Sequence, residues 1–277
     1  MEKHYSLAMV QDAKEAERLR IQYEWLNNVL GCKIHPSISL PHSGPNLSIA
    51  DVGTGTGIFL LDIANDFPAS VHFHGFDITD VHFPDKEFPK NVSFHQHDMR
   101  EPFPEEFIGK FDLVNIRLVV LGLKGNEWEL AMNNLIALLK PGGHLQWLEP
   151  DHSKSRILNN KPGAPANATR ELIKHTNQWF TEHVPITGDN LSDLFRRNGL
   201  EVVTEDIFAN DRLKHESAYH TPMTIQAAGN IAMKWRASQG KISKEQGDEL
   251  IKMALEETKN GDVYLHSDMN IVIGRKP

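Results

Sequence analysis

The fold of this chain is decided by the stretch Leu47-Ser48-Ile49-Ala50-Asp51-Val52-Gly53-Thr54-Gly55-Thr56-Gly57-Ile58. Its first six residues are mostly apolar and are followed at once by glycines, which is typical of a short strand that ends in a tight turn. Apolar residues return at helical spacing from Ile58 to Ala64. A strand that turns sharply into a helix presents free backbone N–H groups, and glycines let a ligand approach them closely. The stretch therefore predicts a ligand site at this turn.

The same alternation of strand and helix continues along the chain. A helix is predicted from Trp128 to Leu139, closed by the turn Lys140-Pro141-Gly142-Gly143. Further strands are predicted at residues 71–77, 92–98, 111–116 and 144–149. Strands that alternate with helices predict an α/β fold with a parallel sheet covered on both faces.

Helical periodicity dominates the two ends of the chain. The predicted helices span Gln11 to Leu30, Thr169 to His183 and Leu191 to Asn198, and two more carry the apolar stripes that end at Trp235 and Leu255. The predicted strands here are Leu200 to Ile207 and Met269 to Gly274. We therefore expect an N-terminal helical cap at 1–46, a core at 47–210 and 262–277, and a helical lid insertion at 211–261.

Composition limits the partners of the protein. The 277 residues are 40% hydrophobic and 24% charged, which is ordinary for a folded chain. The net charge of -8 opposes nucleic-acid binding, which depends on clustered Lys and Arg. Cys32 is the single cysteine, so no intrachain disulfide can form, and no run approaches the roughly 20 apolar residues of a membrane span. We expect a cytoplasmic protein that binds neither nucleic acid nor membrane and holds no metal, and a homodimer is left open.

Three acidic residues stand at the predicted ends of the first three strands, namely Asp51, Asp77 and Asp98. In an open α/β sheet these strand ends form the edge that binds ligands. Asp77 lies about where a carboxylate accepts hydrogen bonds from ribose hydroxyls, and Asp98 is placed to accept one from an adenine amino group. Together the three acids favour a cationic nucleoside over an anionic one.

The spacing of the glycines argues against a dinucleotide. The fingerprint G-x-G-x-x-G requires a third glycine where this chain has Ile58, because its glycines fall at Gly53, Gly55 and Gly57. The carboxylate of Asp51, directly before them, would repel a pyrophosphate but could receive the ammonium group of an amino-acid cofactor.

Five motifs resemble, in order and spacing, those of class I S-adenosylmethionine-dependent methyltransferases, over roughly residues 47 to 150. They are residues 51–57, Phe76-Asp77, His97-Asp98-Met99, Phe111-Asp112-Leu113-Val114 and Leu139-Lys140-Pro141-Gly142-Gly143. A narrower resemblance is to the fungal secondary-metabolism methyltransferase group, which includes biosynthetic enzymes and regulators of metabolite clusters. It is carried by Tyr5-Ser6-Leu7, Glu17-Arg18-Leu19, Gln22, residues 30–35 and Asn115-Ile116-Arg117.

The resemblance implies a Rossmann-like seven-stranded sheet whose last strand is antiparallel, with S-adenosyl-L-methionine at its C-terminal edge. It implies that Asp77 holds the ribose, that Asp98 and Met99 hold the adenine, and that Arg117 lines the cofactor or acceptor pocket. The remaining cofactor-binding residues it implies are Asp51, Gly53, Thr54, Gly55, Gly57 and Ile78. The N-terminal helix is expected to close over the site through Tyr5, Arg18 or Gln22.

Methyl transfer from a sulfonium is an in-line displacement, so the protein must align the reactants, exclude water and, for an O–H or N–H acceptor, remove a proton. A base should lie just past a strand end, where Glu149-Pro150-Asp151-His152 follows the predicted fifth strand. His152 is the first candidate because an unperturbed pKa of about 6.5 suits base catalysis near neutrality, and Glu149 is the second. Asp112, at the opposite end of its strand, is expected to be structural.

The expected function is methyl transfer from S-adenosyl-L-methionine to an O or N atom of a small molecule, a secondary metabolite. Two alternatives stay open, because a fold alone does not fix a function. One is a cofactor-binding regulator of secondary metabolism that acts through a protein partner. The other is a cyclase on the same scaffold, in which the sulfonium acts as a charge and no methyl group moves.

Overall fold

The computed structural model describes residues 13–40, 47–85, 87–186 and 190–277. Tyr5, Ser6 and Leu7 lie outside the described residues, as do Gln11 and the end of the predicted cap at 41–46. Within the described residues, no helix is both long and apolar enough to cross a membrane.

The described residues form seven strands and seven α-helices. The strands are β1 (Ser48–Val52), β2 (His72–Asp77), β3 (Val92–Gln96), β4 (Phe111–Arg117), β5 (Leu139–Asn159), β6 (Glu201–Ala209) and β7 (Val263–Arg275). The helices are α1 (Ala13–Leu30), α2 (Ile58–Ile63), α3 (Glu127–Leu138), α4 (Asn167–His183), α5 (Leu191–Arg197), α6 (Lys214–Ser238) and α7 (Lys244–Thr258).

The strands form one mixed sheet in the order β3-β2-β1-β4-β5-β7-β6. The neighbours from β3 to β5 pair in parallel. Strands β5 and β7 are antiparallel. The Gly142 N–H donates to the Lys276 carbonyl at 2.8 Å, and the Asn160 N–H, later in the chain, donates to the earlier Asp262 carbonyl at 2.8 Å. The predicted seven-stranded α/β sheet with an antiparallel last strand is confirmed.

The chain divides into two compact units. The first comprises Met1–Glu149, Asp189–Asp206 and Asn270–Pro277, and the second comprises Pro150–Gly188 and Ile207–Met269. The second unit therefore takes in Pro150–Gly188 besides the segment at 211–261. The role of that segment as a lid stays a prediction.

The first unit is built around strands that are buried on both faces. All five residues of β1 are buried, which matches the apolar composition of a central parallel strand. From α3, Trp128 packs against Trp147 of β5 with ring centroids 5.5 Å apart, and both side chains are almost fully buried. This packing holds the part of β5 that directly precedes Glu149.

The core of the second unit lies among α4, α6 and α7. The predicted apolar stripes supply it, since Ile225, Ala232 and Ala254 are buried and pack with Leu172. A side chain at Gly229 would place its Cβ 3.1 Å from Leu172 Cδ2, so the glycine allows α4 and α6 to approach closely. The apolar stripes therefore pack into the core of the second unit.

Two predicted strands are longer in the structure. The fifth begins at Leu139 and runs to Asn159, so the predicted turn at 140–143 lies inside it. The strand is irregular there, because Gly142 has a φ of 80° and the pairing with β4 shifts its register between Phe111 and Leu113. The last strand begins at Val263 rather than Met269, because buried and partly buried residues alternate from Val263 to Asp268. Glu149 and His152 therefore lie within β5 and do not follow it.

Candidate cofactor site

The glycine turn has the backbone conformation that requires glycine. Gly53, Gly55 and Gly57 have φ values of 71°, 54° and 70°, in the left-handed region that other residues rarely adopt. The N–H groups of Gly53 and Thr54 donate to the Phe76 carbonyl at 2.8 and 3.0 Å and tie the turn to β2. The turn therefore joins β1 to α2 in the way the sequence predicted.

The surroundings of the three glycines differ. A Cβ at Gly57 would lie 2.4 Å from the ring of Phe94, so this glycine makes room for an aromatic side chain. A Cβ at Gly55 would lie 3.3 Å from Leu19 Cδ1 of α1, and one at Gly53 would lie 3.0 Å from Val119 Cγ1. All three glycines therefore leave room for neighbouring side chains, and the space is tightest at Gly57.

Asp77, at the end of β2, is bonded to the glycine turn. Its Oδ2 atom accepts from the Gly55 N–H at 2.8 Å, and its Oδ1 atom accepts from the Thr79 N–H at 3.3 Å. Burial raises the pKa of this carboxyl, and the hydrogen bond from Gly55 opposes that effect. Ile78, the next residue, is partly buried, and its carbonyl accepts from Gln96 Nε2 at 3.1 Å. The structure thus brings Asp77 and the turn together.

Asp51 is the first member of a buried polar row that crosses three neighbouring strands. Asp51, Asn115 and Gln146 are register partners on β1, β4 and β5. Asn115 Nδ2 donates to Asp51 Oδ1 at 2.7 Å, and Gln146 Nε2 donates to Asn115 Oδ1 at 2.8 Å. The Thr54 hydroxyl donates to Asp51 Oδ2 at 2.7 Å, so the row ends in the glycine turn.

The electrostatics of Asp51 are set by opposing influences. Burial raises its pKa, whereas the charge of Arg117 and the hydrogen bonds from Thr54 and Asn115 lower it. Asn115 and Gln146 are not among the site residues predicted from the sequence, although Asn115 belongs to a motif of the narrower resemblance. The signal for them was a polar residue between two apolar neighbours, with Asn115 between Val114 and Ile116 and Gln146 between Leu145 and Trp147.

Arg117 ends β4 and is held between aromatic rings. Its guanidinium carbon lies 4.3 Å from the ring centre of Phe59 in α2 and 5.1 Å from that of Tyr23 in α1. Burial lowers the pKa of Arg117, and the carboxylate of Asp51 opposes that shift. The Tyr23 hydroxyl in turn bonds to Asp62, which connects α1 to α2. The guanidinium group of Arg117 thus lies on the same edge of the sheet as the carboxylate of Asp51.

The residues of α1 that were expected to close over the site bond to one another. Arg18 pairs with Glu15 through its Nε at 2.8 Å, and its Nη1 donates to Gln22 Oε1 at 3.3 Å. Leu19, between them, is the residue whose side chain contacts the glycine turn. Closure by Arg18 and Gln22 stays a prediction.

Asp98 and Met99 follow β3. The carboxylate of Asp98 is bound by its neighbour Arg100, with Nε 2.8 Å from Oδ1 and the backbone N–H 3.0 Å from the same atom. If residue 53 carried a Cβ, that atom would lie 3.9 Å from the Cε atom of Met99, so the Met99 side chain lies beside the turn. Arg100 was missed by sequence reasoning because a basic residue two positions after an acid has no distinctive spacing.

Glu149 is buried in β5 with its carboxylate fully engaged. It accepts hydrogen bonds from the Trp147 indole at 2.9 Å and from the N–H groups of Val119 and Val120 at 2.8 and 3.1 Å. Burial raises its pKa to about 7, against the effect of these three donors.

His152 lies in the second unit, whereas Glu149 lies in the first. The Nδ1 atom of His152 is 3.4 Å from the Ser155 hydroxyl, and the ring centre of His152 is 4.9 Å from that of Phe180. Burial lowers the pKa of His152 to about 4. The ordinary pKa that made His152 the first candidate base is therefore absent, because a less basic imidazole is a weaker proton acceptor at neutral pH.

The buried hydroxyl of Thr56 bears on whether a cofactor fits the turn. The hydroxyl of Thr56, inside the glycine turn, is buried and has no hydrogen-bond partner among the described residues. Buried hydroxyls are normally bonded, so this orphaned group suits a polar ligand in the turn. Together with Asp51, Asp77 and Arg117, the turn offers groups for the ammonium, hydroxyl and carboxylate groups of S-adenosyl-L-methionine.

The sequence profile of the methyltransferase domain family matches residues 43–199. The chain belongs to this family. Methyltransferase grgD of Penicillium sp is 29% identical over 95% of this chain and 94% of that protein. N-methyltransferase tcpN of Claviceps purpurea (strain 20.1) is 27% identical over 88% of each chain. A solved complex between the Haloferax volcanii Trm112 methyltransferase activator and a methyltransferase supports the fold alone, with a TM-score of 0.52, 15% identity and 95% coverage of each chain.

These comparisons confirm the predicted class I fold, the enzyme class and the resemblance to the fungal secondary-metabolism methyltransferases. S-adenosyl-L-methionine is the cofactor, as the motifs predicted.

Proposed function

We propose that this methyltransferase moves the methyl group of S-adenosyl-L-methionine to a nitrogen atom of a small molecule of secondary metabolism. The observation that carries the proposal is the glycine turn, in which Asp77 bonds to Gly55, Asp51 bonds to Thr54 and the hydroxyl of Thr56 is buried with no partner among the described residues. The similarity to a protein named as an N-methyltransferase supports nitrogen as the acceptor atom.

The cofactor would be held by groups with complementary charge. We assign the methionine part to the backbone of Gly53 and Gly55, with Arg117 receiving its carboxylate and Asp51 its ammonium group. We assign the ribose hydroxyls to the carboxylate of Asp77, which backbone N–H groups of Gly55 and Thr79 hold at the turn.

The adenine end would be held by residues that follow β3. Met99 lies beside the turn and offers an apolar surface to the base. The carboxylate of Asp98 is bound by Arg100, and we keep Asp98 as the proposed acceptor for the adenine amino group. Thr54, Gly57 and Ile78 complete the predicted set, and Thr56 is added to it by its buried hydroxyl.

The bound sulfonium supplies an electrophilic methyl group. The chain then aligns the acceptor and excludes water, which are the main contributions to an in-line displacement. The carboxylate of Glu149 is engaged by three donors, and burial lowers the pKa of His152 to about 4. An amine nitrogen attacks in its neutral form and loses its proton after the new N–C bond has formed. If neither Glu149 nor His152 acts as a strong base, an amine is a more suitable acceptor than a hydroxyl.

Labelled S-adenosyl-L-methionine tests the proposal. Calorimetry should first show that the protein binds the cofactor and that Asp77→Ala weakens this binding at least about tenfold, because the bond to Gly55 is lost. Incubation with an extract of the source's metabolites should then give a product that carries the label on nitrogen. Product without label would support the cyclase, and cofactor binding without any product would support the regulator. Both outcomes contradict methyl transfer.

The cellular setting is a further part of the proposal. We expect a small-molecule acceptor rather than nucleic acid, because the net charge is -8. We expect the protein to act in the cytoplasm, where a chain with one cysteine needs no disulfide. Light scattering after size-exclusion chromatography tests the homodimer.

A further inference from the structure

The segment Leu118–Val120 follows β4 and has an unusual backbone. Leu118 has a φ of 58°, in the left-handed region that residues with a Cβ rarely adopt. Its N–H still donates to the Leu148 carbonyl at 3.0 Å, so the segment leaves the sheet at a defined point. Such a conformation persists only where the surrounding structure holds it.

Glu149 supplies the atoms that hold this segment. Its Oε1 accepts from the Val119 N–H at 2.8 Å and from Trp147 Nε1 at 2.9 Å, and its Oε2 accepts from the Val120 N–H at 3.1 Å. Glu149 is 3% exposed, so water does not compete for these donors. An ionised carboxylate has only acceptor atoms, and three donors therefore match it.

The segment also forms one side of the cofactor turn. A Cβ at Gly53 would lie 3.0 Å from Val119 Cγ1, which means that the Val119 side chain is packed directly on the turn. The residue before the segment is Arg117, which lies over Phe59. A shift of the segment would therefore displace the contacts of Gly53 and of the arginine together.

We propose that Glu149 is a positioning residue, which holds Leu118–Val120 against Gly53 and thereby sets the affinity for S-adenosyl-L-methionine. This inference rests on the proposed cofactor site. It replaces the role of base that the sequence suggested for Glu149, because its carboxylate is used to bind the protein's own backbone.

The test is Glu149→Gln, which keeps the size of the side chain but directs an amide N–H toward a backbone N–H. The Kd and KM for S-adenosyl-L-methionine should rise about tenfold or more, as expected for losing a hydrogen bond to a charged group. The kcat at saturating cofactor should stay within about threefold. The matched control is Glu129→Gln, whose side chain bonds to Arg197 and Asn198 away from the turn and which should leave Kd, KM and kcat unchanged.

A second variant tests the same inference in case Glu149→Gln does not fold. Val119→Ala leaves Glu149 intact and removes the contact of Cγ1 with Gly53, so it should raise the cofactor KM severalfold at unchanged kcat. A large fall in kcat of Glu149→Gln at unchanged KM would make Glu149 the base and overturn the inference. A lower melting temperature without a rise in Kd for either variant would also overturn it. Failure of the unaltered protein to bind S-adenosyl-L-methionine would instead contradict the proposed function.

Discussion

The two units of the chain bond their buried titratable groups differently. In the first unit, Asp51 and Glu149 are each about 3% exposed and accept bonds from residues distant in sequence, Asn115 and Val119. In the second unit, Asp151 is also 3% exposed, but it accepts bonds from Ser153, two positions away. The second unit also buries His220, whose pKa is lowered to about 3 by burial and which bonds to Thr224 at 3.0 Å. Burying a charge is costly unless partners compensate, and for Asp51 and Glu149 those partners come from other parts of the first unit, where we propose that the cofactor binds.

The largest expected effect compares two glycines with similar backbone angles. Gly57 in the first unit and Gly240 in the second have φ values of 70° and 66°, but only Gly57 lies against a side chain, that of Phe94. Gly57→Ala should lower the free energy of unfolding by about 3 to 4 kcal/mol, from backbone strain and overpacking together. Gly240→Ala should cost about 1 to 2 kcal/mol, from strain alone. Urea denaturation measures both, and equal losses would mean that Phe94 yields without cost.

The next largest effect is on the cofactor Kd, and it compares two acids at opposite edges of the sheet within the first unit. Asp51→Asn removes the charge proposed to receive the cofactor ammonium, and calorimetry should show a Kd about 100-fold higher. Asp112→Asn is the matched control. Asp112 bonds to the Ser48 N–H and to Lys140 at the other end of these strands. It should leave Kd within about twofold, and a comparable rise in both variants would remove Asp51 from the site.

The two units should also respond to acid in opposite directions through their buried groups. Glu149 has a folded pKa of about 7, above the ordinary value of 4.5, so the folded chain binds more protons between these values and gains stability as pH falls from 7 to 5. His220 has a folded pKa of about 3, below the ordinary 6.5, so the unfolded chain binds more protons and stability falls over the same interval. Each effect amounts to about 2 kcal/mol at pH 5.

Single variants separate these two contributions. Comparing unfolding free energies at pH 7 and pH 5, Glu149→Gln should lose more stability on acidification than the unaltered protein. His220→Gln should lose less, because its titration is removed. If both variants shift the pH dependence in the same direction, the contrast between the two units fails.

Much of the first unit was predictable because its signals are local. The turn at 53–57 needs positive φ at its glycines, and acids at strand ends mark the ligand edge of a parallel sheet. Asp51, Asp77 and Met99 lie at the turn as a result. The row from Asp51 to Gln146 was missed because it depends on strand order, which places Asn115 between them.

The interpretation of the β5 region was less successful for a physical reason. Glycines at 142 and 143 indicate a turn, but here they form an irregularity inside a long strand, so Glu149 lies within the sheet rather than at its end. The choice of His152 rested on an unperturbed pKa, and burial is a property of the folded chain that no local pattern reveals.

The smallest expected effect compares two helix starts. In the second unit, α7 has a capping box, in which the Ser243 hydroxyl accepts from the Gln246 N–H and Gln246 Oε1 accepts from the Ser243 N–H. In the first unit, α2 starts after Gly57 with no side-chain cap, so its first N–H groups have no such partner. Ser243→Ala should therefore lower the free energy of unfolding by about 1 kcal/mol and leave the Kd for S-adenosyl-L-methionine unchanged, as urea denaturation and calorimetry would show. A weaker Kd in this variant would mean that cofactor binding depends on the start of α7, and the assignment of the cofactor to the first unit alone would be wrong.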